Sequence, residues 1–242
     1  MLAAQPAHNL ALLGRIMCLG NLGRSEEAIA AATHLLELDI GNRIDAYYWR
    51  AHNRRVLGEL AEARSDISAA MELSATADVL SLAGLIEYEQ HDLDPAEADL
   101  TAAVGLAGAD CTARWYLALV HRERKRWLAS SHAFEGAMGC FRDRAQGSAE
   151  QLRALQARAD LDPTYRANAV ASFEASIEAD ARQQHLAALT AANDAVIGGD
   201  TASAKSLVEV AAEDPARADP VAKVRARLGT HQRKLEILKP LP

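Results

Sequence analysis

The sequence is poor in the features that mark most enzymes and most secreted domains. Aromatic residues are only 5% of the chain, cysteine occurs three times and proline seven. Scarce aromatics together with abundant alanine suit thin, closely stacked helices, and no run of alternating β-branched residues points to a sheet. The cysteines, Cys18, Cys111 and Cys140, are odd in number and lack a CxxC spacing. That argues against a structural zinc site or a disulfide framework, and three unpaired thiols favour a reducing, cytoplasmic setting. No stretch is apolar enough for long enough to span a membrane, and no signal peptide is legible. The motifs GxSxG, HExxH and GxxxxGK[ST] are all absent, so the expectation is a non-enzyme with no cofactor, no metal and no catalytic residue. Positive charge is also in short supply. The net charge of −7 argues against general nucleic-acid binding, which needs a basic surface.

What the chain does contain is a repeat. Tyr47–Leu73 reads as helix, Gly turn, helix. Tyr47, Ala51, Arg54 and Leu57 share one face, Gly58 stops the first helix, and Ala63, Ile67, Ala70 and Leu73 share a face of the second. A small residue early in the second helix lets two antiparallel helices approach closely. The small positions are Ala28, Ala63, Ala96 and Ser130, separated by 35, 33 and 34 residues. Behind them stand Ala32 and Leu35, Ile67 and Ala70, Leu100 and Ala103, and Phe134 and Ala137. One such hairpin cannot bury its apolar face alone, so neighbours must stack.

This order of small and large positions, with Gly58 in one turn and Gly84 in a first helix, resembles the tetratricopeptide repeat family over Asn9–Cys140. The signature tryptophan is replaced by Leu12, Tyr47 and Leu80, and Ile40 stands where copy one normally closes on proline. The resemblance implies an all-α, right-handed α–α superhelix. Four repeats are expected over residues 1–141, and a degenerate fifth pair over 142–184. A sixth repeat follows over 185–214, then a capping helix and an extended or frayed tail over 215–242. Within these, Ser25 and Asp94 are candidate helix caps, Ser148–Ala159 and Thr164–Gln184 are separate helices, and a new helix starts at Leu186. Leu2 and Pro6 read as the close of a preceding repeat, so upstream residues, with any targeting sequence, are expected.

The resemblance also places the first helices on the concave side. The inward positions are Leu13, Met17, Tyr48, His52, Arg55, Ser81, Leu85, Tyr88, Trp115, Leu119 and Arg122. Aromatics and arginine are enriched where binding energy concentrates, so this wall is expected to hold a partner peptide or helix, with Arg55 and Arg122 fixing its polar ends. Some relatives clamp a C-terminal carboxylate with lysine and asparagine. Leu13, Met17 and Trp49 occupy three of those places here, which argues against that mode. Two other runs carry charge. His121–Trp127 reads as a basic helix end, and Glu87–Asp94 as a polar turn whose side chains diverge too much to hold a metal. The expected function is a protein–protein interaction scaffold. The alternatives are a positioning segment of a larger multidomain protein, or a self-associating module that forms a homodimer through its C-terminal helices.

Overall fold

A computed structural model describes residues 6–38, 43–106, 110–156 and 163–237. Among them are eleven α-helices and one 3-10 helix, with no strand. The chain divides into two compact units, Met1–Tyr116 and Leu117–Pro242.

The first unit holds α1 (Pro6–Asn21), α2 (Ser25–Glu37), α3 (Arg43–Val56), α4 (Leu60–Leu73), α5 (Ala77–Glu89), α6 (Leu93–Leu106) and the opening of α7 (Cys111–Glu123). Helix α1 packs on α2, α3 on α4 and α5 on α6, and the second helices α2 and α4 pack on the next first ones, α3 and α5. The first helices also meet one another, α1 with α3 and α3 with α5. The small positions explain the closeness. Ala28, Ala63 and Ala96 are all fully buried, as is Ser130 in the second unit. The positions one and two turns further on, Ala32, Ile67 and Leu100 and then Leu35, Ala70 and Ala103, are buried with them. The side-chain period of the sequence is thus the packing period of the hairpins.

The turns repeat as faithfully as the cores. The backbone is left-handed at Gly23, Gly58, His91, Lys125 and Gly199, with φ of 73°, 81°, 61°, 58° and 89°. Each closes its first helix with the same two bonds. At Gly58, for example, its own N–H donates to Arg55 O (3.0 Å) and the N–H of Glu59 donates to Arg54 O (2.9 Å). The same pair recurs from His91 to Tyr88 and Asp92 to Glu87, and from Lys125 to Arg122 and Arg126 to His121. This is the double closure that ends a helix on a left-handed residue. Histidine and lysine have a Cβ that strains this backbone, and glycine does not. His91→Gly and Lys125→Gly are therefore each expected to raise stability by about 0.5–1 kcal/mol, read as a higher urea midpoint at unchanged slope.

Several boundaries differ from the sequence reading. Pro6 opens α1, a position where its missing N–H goes unused. Ser25 is the first helical residue of α2, whose cap is Arg24 without a side-chain hydrogen bond. Asp94 lies inside α6, one residue past its start at Leu93. Met1–Gln5 and Ile40 lie outside the described residues, as does the side chain of Tyr165.

The second unit is built differently. It contains the end of α7, then α8 (Trp127–Gln156, 30 residues), α9 (Pro163–Gly198, 36 residues), α10 (Thr201–Ala212), the 3-10 helix Pro215–Arg217 and α11 (Ala218–Ile237). Two expected breaks are absent. Ser148 onward continues α8, and Leu186 lies within α9. The segment QQHLAALTAA has neither glycine nor proline to stop a helix, so propensity carries it through. Helix α9 packs along α8 and also touches α10 and α11. Its alanine face, Ala187, Ala188, Ala191, Ala192 and Ala195, is fully buried. A Cβ on Gly198 would come within 2.7 Å of Leu128 Cδ2. Asp180, buried, accepts from Arg144 Nε at 2.9 Å and tethers the two long helices. Ala204, Val208 and Ala211 on α10 repeat the buried small–large–small order. Helix α11 continues through Ile237 where a tail was expected, burying Val221, Val224 and Leu228.

Two of the three thiols do not match the reading. Cys111 and Cys140 are disulfide-bonded, and Cys18 is free and exposed.

Candidate functional site

Three first helices of the first unit, α1, α3 and α5, leave a groove of about 550 Å³ between them. Its apolar side is Leu13 and Met17 from α1, Ile44 from α3 and Val79 from α5. Tyr48 and Trp49 supply aromatic surface, their rings 5.5 Å apart and nearly perpendicular at 87°. The polar groups are Asp45, Thr76 and Asp78. Among the described lining residues none is lysine, arginine or histidine.

The electrostatics follow from that composition. Burial pushes the Asp45 carboxyl above the usual carboxylate range, and the charge of Asp78 adds to the effect. Burial likewise raises the Tyr48 phenol, with Asp78 and Asp110 reinforcing it and Arg55 opposing. His52, on the next turn of α3, is held below the ordinary histidine range by burial and by Arg55.

Of the inward residues named from sequence, Leu13, Met17 and Tyr48 come together in this groove. Ser81 and Leu85 are buried within α5. Arg55 Nη1 is 2.5 Å from Glu89 Oε1, so its charge is engaged inside the fold. Tyr88 stacks edge-on against Tyr116 at 5.5 Å, and Trp115 is half-buried on α7. Leu119 and Arg122 belong to the second unit. There Arg122 Nε lies 3.5 Å from the buried Asp194, which is also 2.7 Å from Ser130 Oγ. The inward residues named from sequence did not include Ile44, Asp45, Trp49, Thr76, Asp78 and Val79. The missed signal was an aspartate near the start of successive first helices, Asp45 and Asp78, 33 residues apart.

The polar run Glu87–Asp94 resolves into fold contacts. Glu89 pairs with Arg55, and Asp92 pairs with Arg64 at 3.0 Å. Glu87 is buried beside Asp99, with Arg64 Nη2 at 3.6 Å. Among the described residues no group of three His, Cys, Asp or Glu is placed to hold a metal ion, and no helix is long and apolar enough to cross a membrane. Burial, then the charge of Asp99, pushes Glu87 up to about 7 from 4.5. A raised folded-state value means the folded chain holds this proton more tightly than the unfolded chain. The stabilisation is complete below about 4.5 and is lost as pH rises through about 7. We expect Glu87→Gln to remove this loss, leaving the variant more stable than the parent by about 1–2 kcal/mol at pH above the transition. Urea denaturation across pH reads it. Parallel pH profiles for the two proteins would reject it.

Paired helices with a repeated small-residue seam and a repeated left-handed turn define an all-α helical-repeat fold like that of tetratricopeptide repeat proteins. The chain has that fold. No protein-family model matches it, and no match is found among curated proteins. Solved structures do resemble it. MamA AMB-1 superposes with a TM-score of 0.57 at 11% identity, covering 89% of this chain and 96% of that one. YrrB, described as a TPR protein with an unusual peptide-binding site, gives 0.55 at 15%, covering 89% and 90%. TTC0263, a thermophilic TPR protein of Thermus thermophilus, gives 0.52 at 14%, covering 93% and 98%.

Proposed function

We propose that the chain is a non-enzymatic protein-interaction scaffold that holds a partner polypeptide against the first helices of its first unit. The groove between α1, α3 and α5 carries this reading. It combines an apolar wall, two aromatic rings and a few polar groups, the composition expected of a binding cleft. The likeness to YrrB, whose description includes a peptide-binding site, supports it. The polar ends that Arg55 and Arg122 were expected to fix fall instead to Asp45, Thr76 and Asp78, because both arginines already face carboxylates.

The test is binding to the immobilised full chain, compared with Tyr48→Ala. Tyr48 is half-buried in the groove wall. Removing an aromatic anchor costs about 2 kcal/mol or more of binding where the anchor is central, so affinity is expected to fall about 30-fold. Far-UV circular dichroism should stay at the parent value. Unchanged affinity with intact helicity would place the binding surface elsewhere.

A further inference from the structure

We propose that the groove of the first unit takes a lysine or arginine side chain of the partner segment. The aliphatic stem would lie on Leu13, Met17 and Val79, and the cationic head between Asp45 and Asp78. This inference rests on the peptide-binding reading above and specifies the chemistry of the occupant.

Charge complementarity is the first support. Among the described lining residues the ionisable groups are the carboxylates and the Tyr48 phenol, with no lysine, arginine or histidine. Asp45 lies in the first turn of α3 and Asp78 in the first turn of α5. Their 33-residue separation matches the repeat, α3 packs against α5, and both aspartates line the cleft. Burial raises the Asp45 carboxyl most, and the charge of Asp78 adds to it. An anionic occupant would add a third negative charge to a partly dry cleft. A cationic occupant is attracted by both carboxylates.

The shape of the lining is the second support. Lysine and arginine carry an apolar stem and a charged head. The groove supplies both kinds of surface, with apolar side chains of α1 and α5 and two aspartates in its lining. Tyr48 and Trp49 add an aromatic corner, and aromatic faces attract cations, more strongly when water is excluded. A first-turn aspartate alone also suits a helix dipole. What the dipole leaves unexplained is the pairing of two such aspartates with two aromatic rings in one cleft. The volume of about 550 Å³ exceeds a single side chain, so apolar neighbours of the basic residue would enter with it.

The experiment is selection of binders by the full chain from a displayed library of random dodecapeptides. Anisotropy titration of a labelled selected peptide follows, against the parent and the double variant Asp45→Asn/Asp78→Asn. Selected peptides are expected to share a lysine or arginine flanked by apolar residues. Replacing that residue with norleucine, which keeps the stem and removes the charge, should weaken binding about tenfold or more. The double variant should bind the parent peptide about tenfold less tightly and should no longer distinguish it from the norleucine peptide. Raising salt should weaken the parent complex. The norleucine comparison needs no change to the protein, so it decides the matter even if the double variant misfolds. Selected peptides without a basic residue, or equal affinity for the norleucine peptide, would overturn this inference while leaving peptide binding standing. A selection that yields no binder would overturn the reading beneath it.

Discussion

Gly84→Ala is expected to destabilise the chain by about 2 kcal/mol, although alanine is the better helix former. Gly84 lies inside α5, where it faces α6. A Cβ built there would stand 2.5 Å from Leu100 Cγ, 2.9 Å from Leu100 Cδ2 and 3.2 Å from the Leu100 backbone nitrogen. Leu100 is fully buried, so it cannot swing away without disturbing the seam that holds the two helices together. The helix-propensity gain of about 1 kcal/mol is smaller than the cost of forcing a methyl into a packed contact, about 1–3 kcal/mol, which lies at its upper end where the clash includes backbone. Gly84→Val should cost more, about 3–4 kcal/mol, because β-branching adds a second clash. A double-mutant cycle identifies the cause. Leu100→Ala alone should be strongly destabilising, yet in the Gly84→Ala background its added cost should shrink by about 1 kcal/mol or more. Additive effects would mean that the close approach is not what makes alanine unfavourable. Urea denaturation of the four proteins provides the measurement.

The largest polar effect is expected at Asp66. This carboxylate is buried on α4, where Arg50 donates from Nε at 2.8 Å and from Nη2 at 2.5 Å, and Arg54 donates from Nη1 at 2.7 Å. Arg50 Nη1 continues to Thr33 Oγ1 on α2 at 3.1 Å. One carboxylate therefore links three helices of the first unit. Asp66→Ala leaves two guanidinium groups, both mostly buried, without their shared counter-charge. Breaking a buried ion pair from one side costs about 3–5 kcal/mol, and that is the expected loss. Replacing all three partners together, Arg50→Met, Arg54→Leu and Asp66→Leu, should restore most of it. Desolvation of the ions offsets much of their mutual attraction, so an apolar set of similar volume is close to neutral. If the single and triple variants lose equal stability, the network contributes geometry that apolar packing cannot replace.

The two units differ in how much of their structure is written locally. In the first unit each hairpin carries its own punctuation: a left-handed residue after each first helix and a small residue early in each second helix. Gly23 and Gly58 were legible as turns because glycine is the usual residue for that backbone. His91 and Lys125 adopt the same backbone without the usual residue, so no local signal marks them. In the second unit Gly139 and Gly147 lie within α8 and break nothing. Helix α9 runs through the expected boundary near His185 because packing of its alanine face rewards continuity. The seam at Ser130 acquired a polar partner, Asp194, 64 positions away, which no local pattern announces.

The candidate site shows the same division. Leu13, Met17 and Tyr48 were legible because the resemblance to tetratricopeptide repeats implies which first-helix positions face inward. The aspartates that set the charge of the groove were not, since a first-turn acid has an ordinary explanation in the helix dipole. By itself the sequence determined the class of fold, the repeat length and the seam on which the hairpins close, because these depend on side-chain size at fixed local spacing. Only the tertiary structure decided that Asp45 and Asp78 share a cleft and that Arg55 and Arg122 are already engaged. Those outcomes depend on which distant helices meet, and opposing charges act through space without regard to their separation along the chain.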